Sequence, residues 1–254
     1  MDIKNCSAIV TGGGSGMGAA TARMLSAAGV KVAILDLNQN AAEKVAAEIH
    51  GIAIACDVTN ADQVEQAVAK ANAAHGIARI CVNCAGVVFG KRIVGKDGAM
   101  PLDDFRKVIE INLIGTFNVL RIAATAMTQL DPIGESQGRG VIINTASVAA
   151  YEGQIGQAAY SASKGGIVSL TLPAARELAQ FGIRVVTIAP GLVDTPMFEK
   201  IPPEARSALE NSVPFPKRLA HPSEFAKLAL HIIDNEMING EVIRLDGALR
   251  MPPK

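Results

Sequence analysis

Residues 7–18 read SAIVTGGGSGMG, an apolar run that leads directly into a glycine-rich turn. The run predicts a buried first strand, and the turn opens a predicted helix that continues through about Ala28. Glycines let the backbone approach a pyrophosphate closely, and the free amides at a helix start favour its negative charge. The spacing GxxxGxG, at Gly12, Gly16 and Gly18, describes this stretch better than the GxGxxG/A pattern. The alternative interpretation is a glycine-rich turn without a ligand.

Apolar, β-branched runs recur along the rest of the chain and alternate with alanine-rich helical segments. Because parallel neighbouring strands need crossover connections, this alternation predicts a parallel sheet covered by helices on both faces. We therefore expect an α/β fold of the Rossmann type, a doubly wound parallel sheet of about seven strands in a single domain over residues 1–254. The predicted strands are residues 7–11, 31–36, 52–56, 79–84, 140–145, 183–189 and 241–245.

The composition argues against a charged macromolecular partner. Of 254 residues, 49% are hydrophobic and 19% are charged, and 24 basic residues balance 24 acidic ones. No net field would draw the chain to nucleic acid or to an anionic membrane, so we expect a small-molecule substrate. No apolar run approaches the roughly 18 residues of a membrane span, and residues 1–10 lack a separate signal-peptide region. We therefore expect a cytoplasmic protein.

Four cysteines are too few and too unevenly spaced for a secreted disulfide framework. Cys81 and Cys84 form a CxxC, which raises redox pairing and metal binding as alternatives. They lie in a predicted strand, RICVNCAG, where positions three apart point to opposite faces. We interpret them as core residues and expect no metal site.

Two segments carry conspicuous prolines. Residues 191–218 contain several of them and look irregular, and long loops inside compact domains are often functional. We expect this segment to act as a substrate lid, in which Met197, Phe198 and Ile201 influence substrate preference. Pro173 falls inside a predicted helix at residues 157–180, where proline removes a backbone donor, so we expect a kink there.

A carboxylate follows the second strand at Asp36, about 20 residues after the glycine turn. An acid there can hydrogen-bond both ribose hydroxyls of an adenosine and would repel a 2′-phosphate, and Leu37 offers no compensating cation. We therefore predict NAD, rather than NADP, as the cofactor; a turn-forming or capping aspartate is the alternative. Asp57 and Val58, after the third strand, are candidates for adenine contacts, with loop capping as their alternative.

Tyr160 and Lys164 lie four residues apart in AAYSASKGG, so on a helix they share one face and can reach a common ligand. A tyrosine that acts as a base near neutral pH needs its pKa lowered by about three units, which a neighbouring ammonium and a nicotinium ring can supply. Ser147, at the end of the strand GVIINTAS, would emerge at the carboxyl edge of the sheet and can hydrogen-bond a substrate oxygen. Each signal alone is weak, since YxxxK pairs and strand-end serines also occur without catalysis.

These features occur in one order, with NCAG at residues 83–86 and Asn112 between them, and in that combination the chain resembles the short-chain dehydrogenase/reductase family over its full length. The resemblance implies an oxidoreductase in which Tyr160 is the general base or acid and Ser147 positions and polarises the substrate oxygen. It also implies that Lys164 lowers the tyrosine pKa and holds the nicotinamide ribose. Asn112 would support a water that relays protons from Lys164; the alternative is that it only satisfies a buried helix.

The same resemblance implies further cofactor contacts from the helix start, from the NCAG segment and from PGLVDT at residues 190–195. A simple strand exit is the alternative for PGLVDT. The whole candidate cofactor-binding set comprises Gly12, Ser15, Gly16, Met17, Gly18, Asp36, Asp57, Val58, Asn83, Cys84, Ala85, Gly86, Tyr160, Lys164, Pro190, Val193 and Thr195.

Within the family, several long stretches are similar to enzymes that act on 3-hydroxyacyl-CoA. This similarity implies a substrate site at Ser147, Gln154 and Tyr160, a role in fatty acid metabolism and a homotetramer. Hydroxysteroids or other secondary alcohols are the alternative substrates; a 3-oxoacyl carrier-protein reductase dependent on NADPH and a non-catalytic NAD-binding scaffold are less favoured. The similar stretches are residues 112–121, 140–178, which include Pro173, 213–219 and 240–251.

Two further features bear on the substrate and the assembly. The loop at residues 90–100 carries Lys91, Arg92 and Lys96, which could pair with the phosphates of CoA, although charged loops usually stay solvated. The helices predicted at residues 102–129 and 157–180 are rich in alanine and aliphatic residues around much of their circumference. Helices buried in an interface share this pattern, which agrees with a homotetramer.

Overall fold

Seven parallel strands, separated in the chain by helices, form the central sheet of the computed structural model, which describes residues 3–96, 98–196 and 202–253. The sheet strands are β1 (Ser7–Thr11), β2 (Lys31–Asp36), β3 (Ile52–Ala55), β4 (Ile80–Asn83), β7 (Gly140–Thr145), β8 (Ile183–Pro190) and β9 (Val242–Leu245), while β5 (Val94–Gly95) and β6 (Gly98–Ala99) form a separate hairpin. Their order in the sheet is β3-β2-β1-β4-β7-β8-β9. The predicted α/β fold class is confirmed, and each predicted strand differs from the observed one by at most one residue at either end.

Helices cover both faces of the sheet, as the apolar character of the strands on both faces requires. Side chains of α1, α2 and α8 pack on one face, and side chains of α3, α5 and α6 pack on the other. The helices are α1 (Gly16–Ala27), α2 (Gln39–Glu48), α3 (Ala61–His75), α4 (Leu102–Ile109), α5 (Gly115–Met127), α6 (Ala158–Ala179), α7 (Pro203–Ser212) and α8 (Pro222–Asp234).

One long helical segment departs from the sequence predictions. α4 and α5 are joined by a π-helical turn, Glu110–Ile114, which carries the buried Asn112. The combined helix, Leu102–Met127, is long and apolar enough by length and composition to cross a membrane, so the expectation that no stretch approaches such a span is wrong for it. Half of the most apolar window is buried inside the fold, as in the core helices of soluble proteins.

The two segments with conspicuous prolines are both partly helical. α6 continues through Pro173 without interruption, and the kink expected there stays a prediction. The predicted lid contains α7, where Arg206 donates a hydrogen bond to the Asp194 carboxylate at 2.8 Å. Its role as a lid stays a prediction, and three residues expected to influence substrate preference lie outside the described residues: Met197, Phe198 and Ile201.

Cys81 and Cys84 face opposite sides of the sheet, as their spacing predicts. Cys81 packs in the cluster beneath α3 and α5, whereas Cys84 packs against the cluster beneath α1. Burial raises the pKa of each thiol to about 12, so both stay protonated near neutral pH. These surroundings support the interpretation as core cysteines.

The order of the strands positions a crevice. The chain adds β2 and β3 on one side of β1 and then places β4 on the other side, so the order reverses between β1 and β4. Ligands of open α/β sheets bind outside the carboxyl ends of the strands at such a point. The loops that leave β1 and β4 there are the glycine turn and the NCAG segment.

Candidate active site

A cavity of about 820 Å³ opens at this carboxyl edge of the sheet. Its volume is in the range of small-molecule binding sites. It brings together most of the residues predicted from the sequence. Those that line it are Gly12, Ser15, Gly16, Met17, Gly18, Asp36, Asp57, Val58, Cys84, Ala85, Gly86, Ser147, Tyr160, Lys164, Pro190, Val193 and Thr195.

Two predicted ligand contacts, Asn83 and Gln154, are not among the lining residues. Asn83 is buried in β4, and its side-chain amide donates to the side-chain oxygen of Asn144 in β7 at 2.9 Å. The side-chain amide of Gln154 donates to the carbonyl oxygen of Pro252 at 3.2 Å. Both side chains therefore have partners within the protein, and the ligand contacts expected of them stay predictions.

Asn112 is also buried behind the cavity wall. Its side-chain oxygen accepts from the Val87 amide at 2.8 Å, and its side-chain nitrogen donates to the Val87 carbonyl at 2.9 Å and to the Ser163 hydroxyl at 3.0 Å. A Cβ built on Gly86 would lie 3.1 Å from the Asn112 oxygen and 3.6 Å from the Lys164 ammonium. Asn112 thus fixes the loop after β4, and its support of a water relay stays a prediction.

The glycine turn is shaped by close approaches between backbone segments. Gly12 has a φ of 62°, and a Cβ there would lie 2.8 Å from the Ala85 nitrogen. A Cβ on Gly18 would lie only 2.2 Å from the Gly12 carbonyl oxygen, and Gly16 has a φ of 51°. The turn therefore requires glycine at each position of the GxxxGxG spacing. Ser15, the residue before α1, makes no side-chain capping bond and lines the cavity, so its hydroxyl and the first helical amides can receive a phosphate.

Gly18→Ala is expected to weaken NADH binding at least about 100-fold, because two buried backbone segments would have to separate to admit the new methyl group. The measurement is a titration of NADH fluorescence, together with the thermal midpoint of unfolding. The matched control is Gly165→Ala in α6, where a Cβ meets no atom within 4 Å. The control should retain binding and gain about 0.5 kcal/mol of stability from helix propensity. Normal binding by Gly18→Ala would contradict the packing argument.

Asp36 lines the cavity at the end of β2. One carboxylate oxygen accepts from the Gly14 amide at 2.9 Å, and the other accepts from the Asn38 amide at 2.9 Å. These bonds fix the carboxylate while leaving each oxygen a further lone pair for a ribose hydroxyl. Leu37 beside it is 77% exposed, so its side chain places no charge there.

Asp57 and Val58 also line the cavity, but they have structural partners as well. Asp57 accepts from the backbone amide and the hydroxyl of Thr59, at 2.9 and 2.7 Å, which is the loop-capping role considered for it. The Val58 carbonyl accepts from Asn118 at 2.9 Å, while its side chain is buried. Adenine contacts by this pair stay a prediction.

Ser147 and Tyr160 meet at the other end of the cavity. The Ser147 oxygen accepts from the Ala149 amide at 3.1 Å, which leaves its hydroxyl proton to be donated. Burial raises the pKa of Tyr160 above its ordinary value, and the hydrogen bond from Ser147 lowers it only in part. The sequence predicts a tyrosine pKa lowered by both an ammonium and a nicotinium ring, and for the chain with its cofactor bound that expectation stays a prediction.

Lys164 lies one helical turn beyond Tyr160, with its nitrogen 5.8 Å from the centre of the tyrosine ring. The ammonium is buried and donates to the Thr145 carbonyl oxygen at 2.7 Å. Burial lowers the pKa of Lys164 to about 8. Lys164 therefore stays mostly protonated at neutral pH and loses its charge near pH 8.

The comparisons with known proteins agree with this geometry. A family model described as short chain dehydrogenase matches residues 7–206. The chain belongs to the short-chain dehydrogenase family. It is 51% identical to a 3-hydroxyacyl-CoA dehydrogenase type-2 of Bos taurus and 49% identical to that of Homo sapiens, in each case over 99% of this chain and 97% of the relative. A crystal structure of 3-hydroxyacyl-CoA dehydrogenase type-2 from Mycobacterium avium has a TM-score of 0.94 and 44% identity, with 98% of each chain covered.

As a short-chain dehydrogenase the protein is an oxidoreductase, and enzymes of this family depend on a nicotinamide dinucleotide. The residues at the site fit such a cofactor. The glycine turn leaves room where a side chain would block the approach of a phosphate, since a Cβ on Gly16 would lie 3.2 Å from the Thr195 side chain across the cavity. Asp36 and Lys164 can hold the two riboses by hydrogen bonds.

Several lining residues of this short-chain dehydrogenase were not identified from the sequence. Gln157 begins the turn into α6, and its side-chain oxygen accepts from the Gln154 amide at 3.0 Å. Met251 reaches the cavity from the end of the chain, and only the three-dimensional path of the chain could have revealed it. The remaining ones were not singled out as ligand contacts: Leu35, Leu37, Cys56, Thr59, Val87, Val88, Lys107, Glu110, Ile111, Thr145, Ala146, Val148, Ala149, Gly191, Leu192 and Pro196.

The lowered pKa of Lys164 gives a stability prediction. Between about pH 8 and 10.5 the unfolded chain holds more protons on Lys164 than the folded chain, so the free energy of unfolding rises with pH. Relative to Lys164→Met, the free energy of unfolding of the unmodified protein should increase by about 2 kcal/mol from pH 7 to pH 10. Urea unfolding of both proteins at a series of pH values measures this difference. A difference that stays constant would show that Lys164 keeps the same affinity for its proton in both states.

Proposed function

We propose that this short-chain dehydrogenase interconverts a 3-hydroxyacyl-CoA and a 3-oxoacyl-CoA with NAD. The observation that carries the proposal is that one cavity is lined both by the glycine turn with Asp36 and by Ser147, Tyr160 and Lys164. A dinucleotide and a substrate hydroxyl can therefore occupy the same space in contact with each other.

The proposed chemistry assigns one task to each side chain. Ser147 donates a hydrogen bond to the substrate oxygen, and Tyr160 accepts the hydroxyl proton during oxidation or returns it during reduction. When bound, the oxidised cofactor supplies the hydride acceptor and a positive charge. Lys164, in its charged form, adds a second positive charge beside Tyr160, so the two together lower the tyrosine pKa that burial raises.

The preference for NAD rests on Asp36. Its carboxylate is fixed by two backbone amides and stands where a 2′-phosphate would have to be placed. The same argument disfavours a 3-oxoacyl carrier-protein reductase that uses NADPH. A non-catalytic NAD-binding scaffold is disfavoured because Ser147, Tyr160 and Lys164 are all present in one cavity.

The substrate class is supported by the full-length relatives named 3-hydroxyacyl-CoA dehydrogenase type-2. The test is the initial rate of NADH appearance with (S)-3-hydroxybutyryl-CoA, measured beside hydroxysteroids and simple secondary alcohols and repeated with NADP. We expect the highest kcat/KM with the CoA ester and NAD. A higher kcat/KM with a steroid or a free alcohol would retain the dehydrogenase and reject the CoA ester.

The basic loop predicted to meet CoA is only partly available for this purpose. The Lys91 ammonium donates to the Asp104 carboxylate at 2.6 Å, and its backbone amide donates to Gly156 at 2.7 Å. Lys91 therefore already has hydrogen-bond partners within the protein. Arg92 and Lys96 are exposed on the β5–β6 hairpin segment and are the better candidates for the CoA phosphates.

Reversal of these two charges tests their role. Arg92→Glu with Lys96→Glu should raise KM for acetoacetyl-CoA about fivefold and leave KM for a small free ketone unchanged, because only the CoA ester carries phosphates. Lys227→Glu, on the exposed side of α8, is the control for a change in net charge. An equal rise of KM for both substrates would contradict the proposed contact.

We also propose that the protein is a homotetramer. The long helix and α6 expose apolar side chains, including Ile114, Phe117 and Leu172, which an interface would cover. Light scattering at micromolar concentration tests this proposal, and a stable monomer would reject it.

A further inference from the structure

The end of the chain returns to the active site. Residues 250–253 follow the turn after β9, and the Met251 side chain lines the cavity. We propose that Met251 forms the part of the cavity wall that limits the length of the substrate's acyl group. In this proposal Gln154 is a positioning residue that holds Met251 at the wall. This assignment rests on the proposed function, because it names the part of that substrate which the wall contacts.

Residues 250–253, here called the tail, are held at the substrate end of the cavity by two hydrogen bonds. The Gln154 side chain donates to the Pro252 carbonyl at 3.2 Å, and the Ile155 backbone amide donates to the Pro253 carbonyl at 3.0 Å. Residues 151–157, to which these donors belong, lie between Ser147 and Tyr160 in the chain. The adenosine end, marked by Asp36, lies on the other side of β1 and β4 in the sheet. Met251 therefore stands beside the reacting groups rather than beside the adenosine.

An ionic network makes this position rigid. Arg244 in β9 donates to both Glu152 carboxylate oxygens at 2.8 Å, to the Asp246 carboxylate at 2.7 Å and to the Leu249 carbonyl at 3.0 Å. Glu152 precedes the loop that holds the tail, and Leu249 is buried immediately before it. One guanidinium thus ties the sheet, the loop and the base of the tail together, which is the support that a selective wall needs.

The chemistry of the wall suits an acyl chain. Methionine is apolar and adapts its shape through three rotatable bonds, so it can pack against linear or branched groups. The cavity wall nearby adds apolar side chains, including Val148 and Leu192. In such a pocket a difference of one methylene changes selectivity by about tenfold or more, so the size of residue 251 should affect the preferred chain length.

The polar bonds of Gln154 explain why it is a positioning residue. Its side-chain amide donates to the Pro252 carbonyl oxygen, and its backbone amide donates to the side chain of Gln157, a residue that lines the cavity. Gln154 reaches the substrate through these two neighbours, although the resemblance implies direct contact. Replacement of Gln154 should therefore change the preferred chain length of the substrate by changing the position of Met251.

The experiment compares kcat/KM along two substrate series, 3-hydroxyacyl-CoA esters and 2-alkanols, each from four to ten carbons. Met251→Ala should raise the ratio of ten-carbon to four-carbon kcat/KM about tenfold, and Met251→Phe should lower it by a similar factor. KM for NAD should stay unchanged in both variants. The matched control is Met237→Ala, since that side chain is 94% exposed. Unchanged ratios in both Met251 variants would overturn the assignment.

Gln154 is tested by a double-mutant cycle. Gln154→Ala should change the chain-length ratio in the same direction as Met251→Ala and add nothing in the Met251→Ala background. Gln154→Lys, which keeps a donor on a long side chain, should retain the original ratio. Additive effects would show direct contact of Gln154 with the substrate and overturn its positioning role.

Failure of the proposed function would give a different result. A protein that oxidises only the 2-alkanols rejects 3-hydroxyacyl-CoA as its substrate, and the chain-length ratio within the alkanol series then decides the role of Met251. A protein inactive on both series rejects the proposed function and the assignment together.

Discussion

Tyr160→Phe is expected to reduce kcat by about 10³-fold or more while NADH still binds with its original affinity. The substitution removes the one hydroxyl that hydrogen-bonds Ser147 and can exchange a proton with the substrate oxygen, and it keeps the ring that fills the cavity wall. Steady-state kinetics and a fluorescence titration with NADH measure the two quantities separately.

The control for this substitution is Tyr151→Phe, at the other tyrosine of the chain. The Tyr151 ring lies 5.1 Å from the Arg244 guanidinium, a contact that phenylalanine retains, and it is 47% exposed. We expect kcat to change less than about twofold, as for a surface substitution that removes no buried partner. If Tyr160→Phe retained more than about a tenth of the activity, another group would have to carry the proton.

The electrostatics of the site explain why this tyrosine needs its cofactor. In the chain alone, burial raises the pKa of Tyr160 and lowers that of Lys164 to about 8, so at neutral pH the tyrosine is a neutral phenol beside a mostly charged lysine. A bound cation beside them would reverse the balance for Tyr160 by favouring the phenolate. Under the proposed function, binding of the oxidised cofactor would therefore make Tyr160 a better base.

The fold was predictable because local sequence and global architecture agree. Strands such as residues 140–145 are continuous apolar runs, which a sheet covered on both faces requires. Gly12 and Gly18 were predictable from spacing because a turn with this close approach excludes any side chain. Tyr160 and Lys164 were placed correctly in one cavity because four residues make about one helical turn.

What the sequence did not predict depends on partners distant in the chain. Asn83 belongs to a family pattern, but only the pairing of β4 with β7 shows that its side-chain amide donates to Asn144. Lys91 looks like a free cation until Asp104 is placed beside it. Met251 lies 91 positions after Tyr160, and no local pattern indicates that the two line one cavity.

The cofactor preference is expected to invert when the charge at the end of β2 is inverted. Asp36→Asn with Leu37→Arg removes the carboxylate proposed to repel a 2′-phosphate, keeps an acceptor for one of the two local backbone amides, and adds a guanidinium on an exposed side chain. Juxtaposed like charges cost several kcal/mol, so the ratio of kcat/KM for NADP to that for NAD should rise about 10³-fold. Initial rates with both cofactors at subsaturating concentration measure the ratio.

Asp57→Asn separates a local repulsion from a general effect of charge in the cavity. Asp57 also lines the cavity, but its carboxylate is bonded to Thr59 at the end of β3, so its replacement should affect NAD and NADP alike. The Asp36 double variant and Asp57→Asn change the cavity charge in the same direction, yet only the former alters the carboxylate that we propose to face the 2′-position. The double variant raises the charge by two units and Asp57→Asn by one, so a change in the logarithm of the NADP to NAD ratio half as large in Asp57→Asn would mean that total charge, rather than the position of Asp36, selects the cofactor.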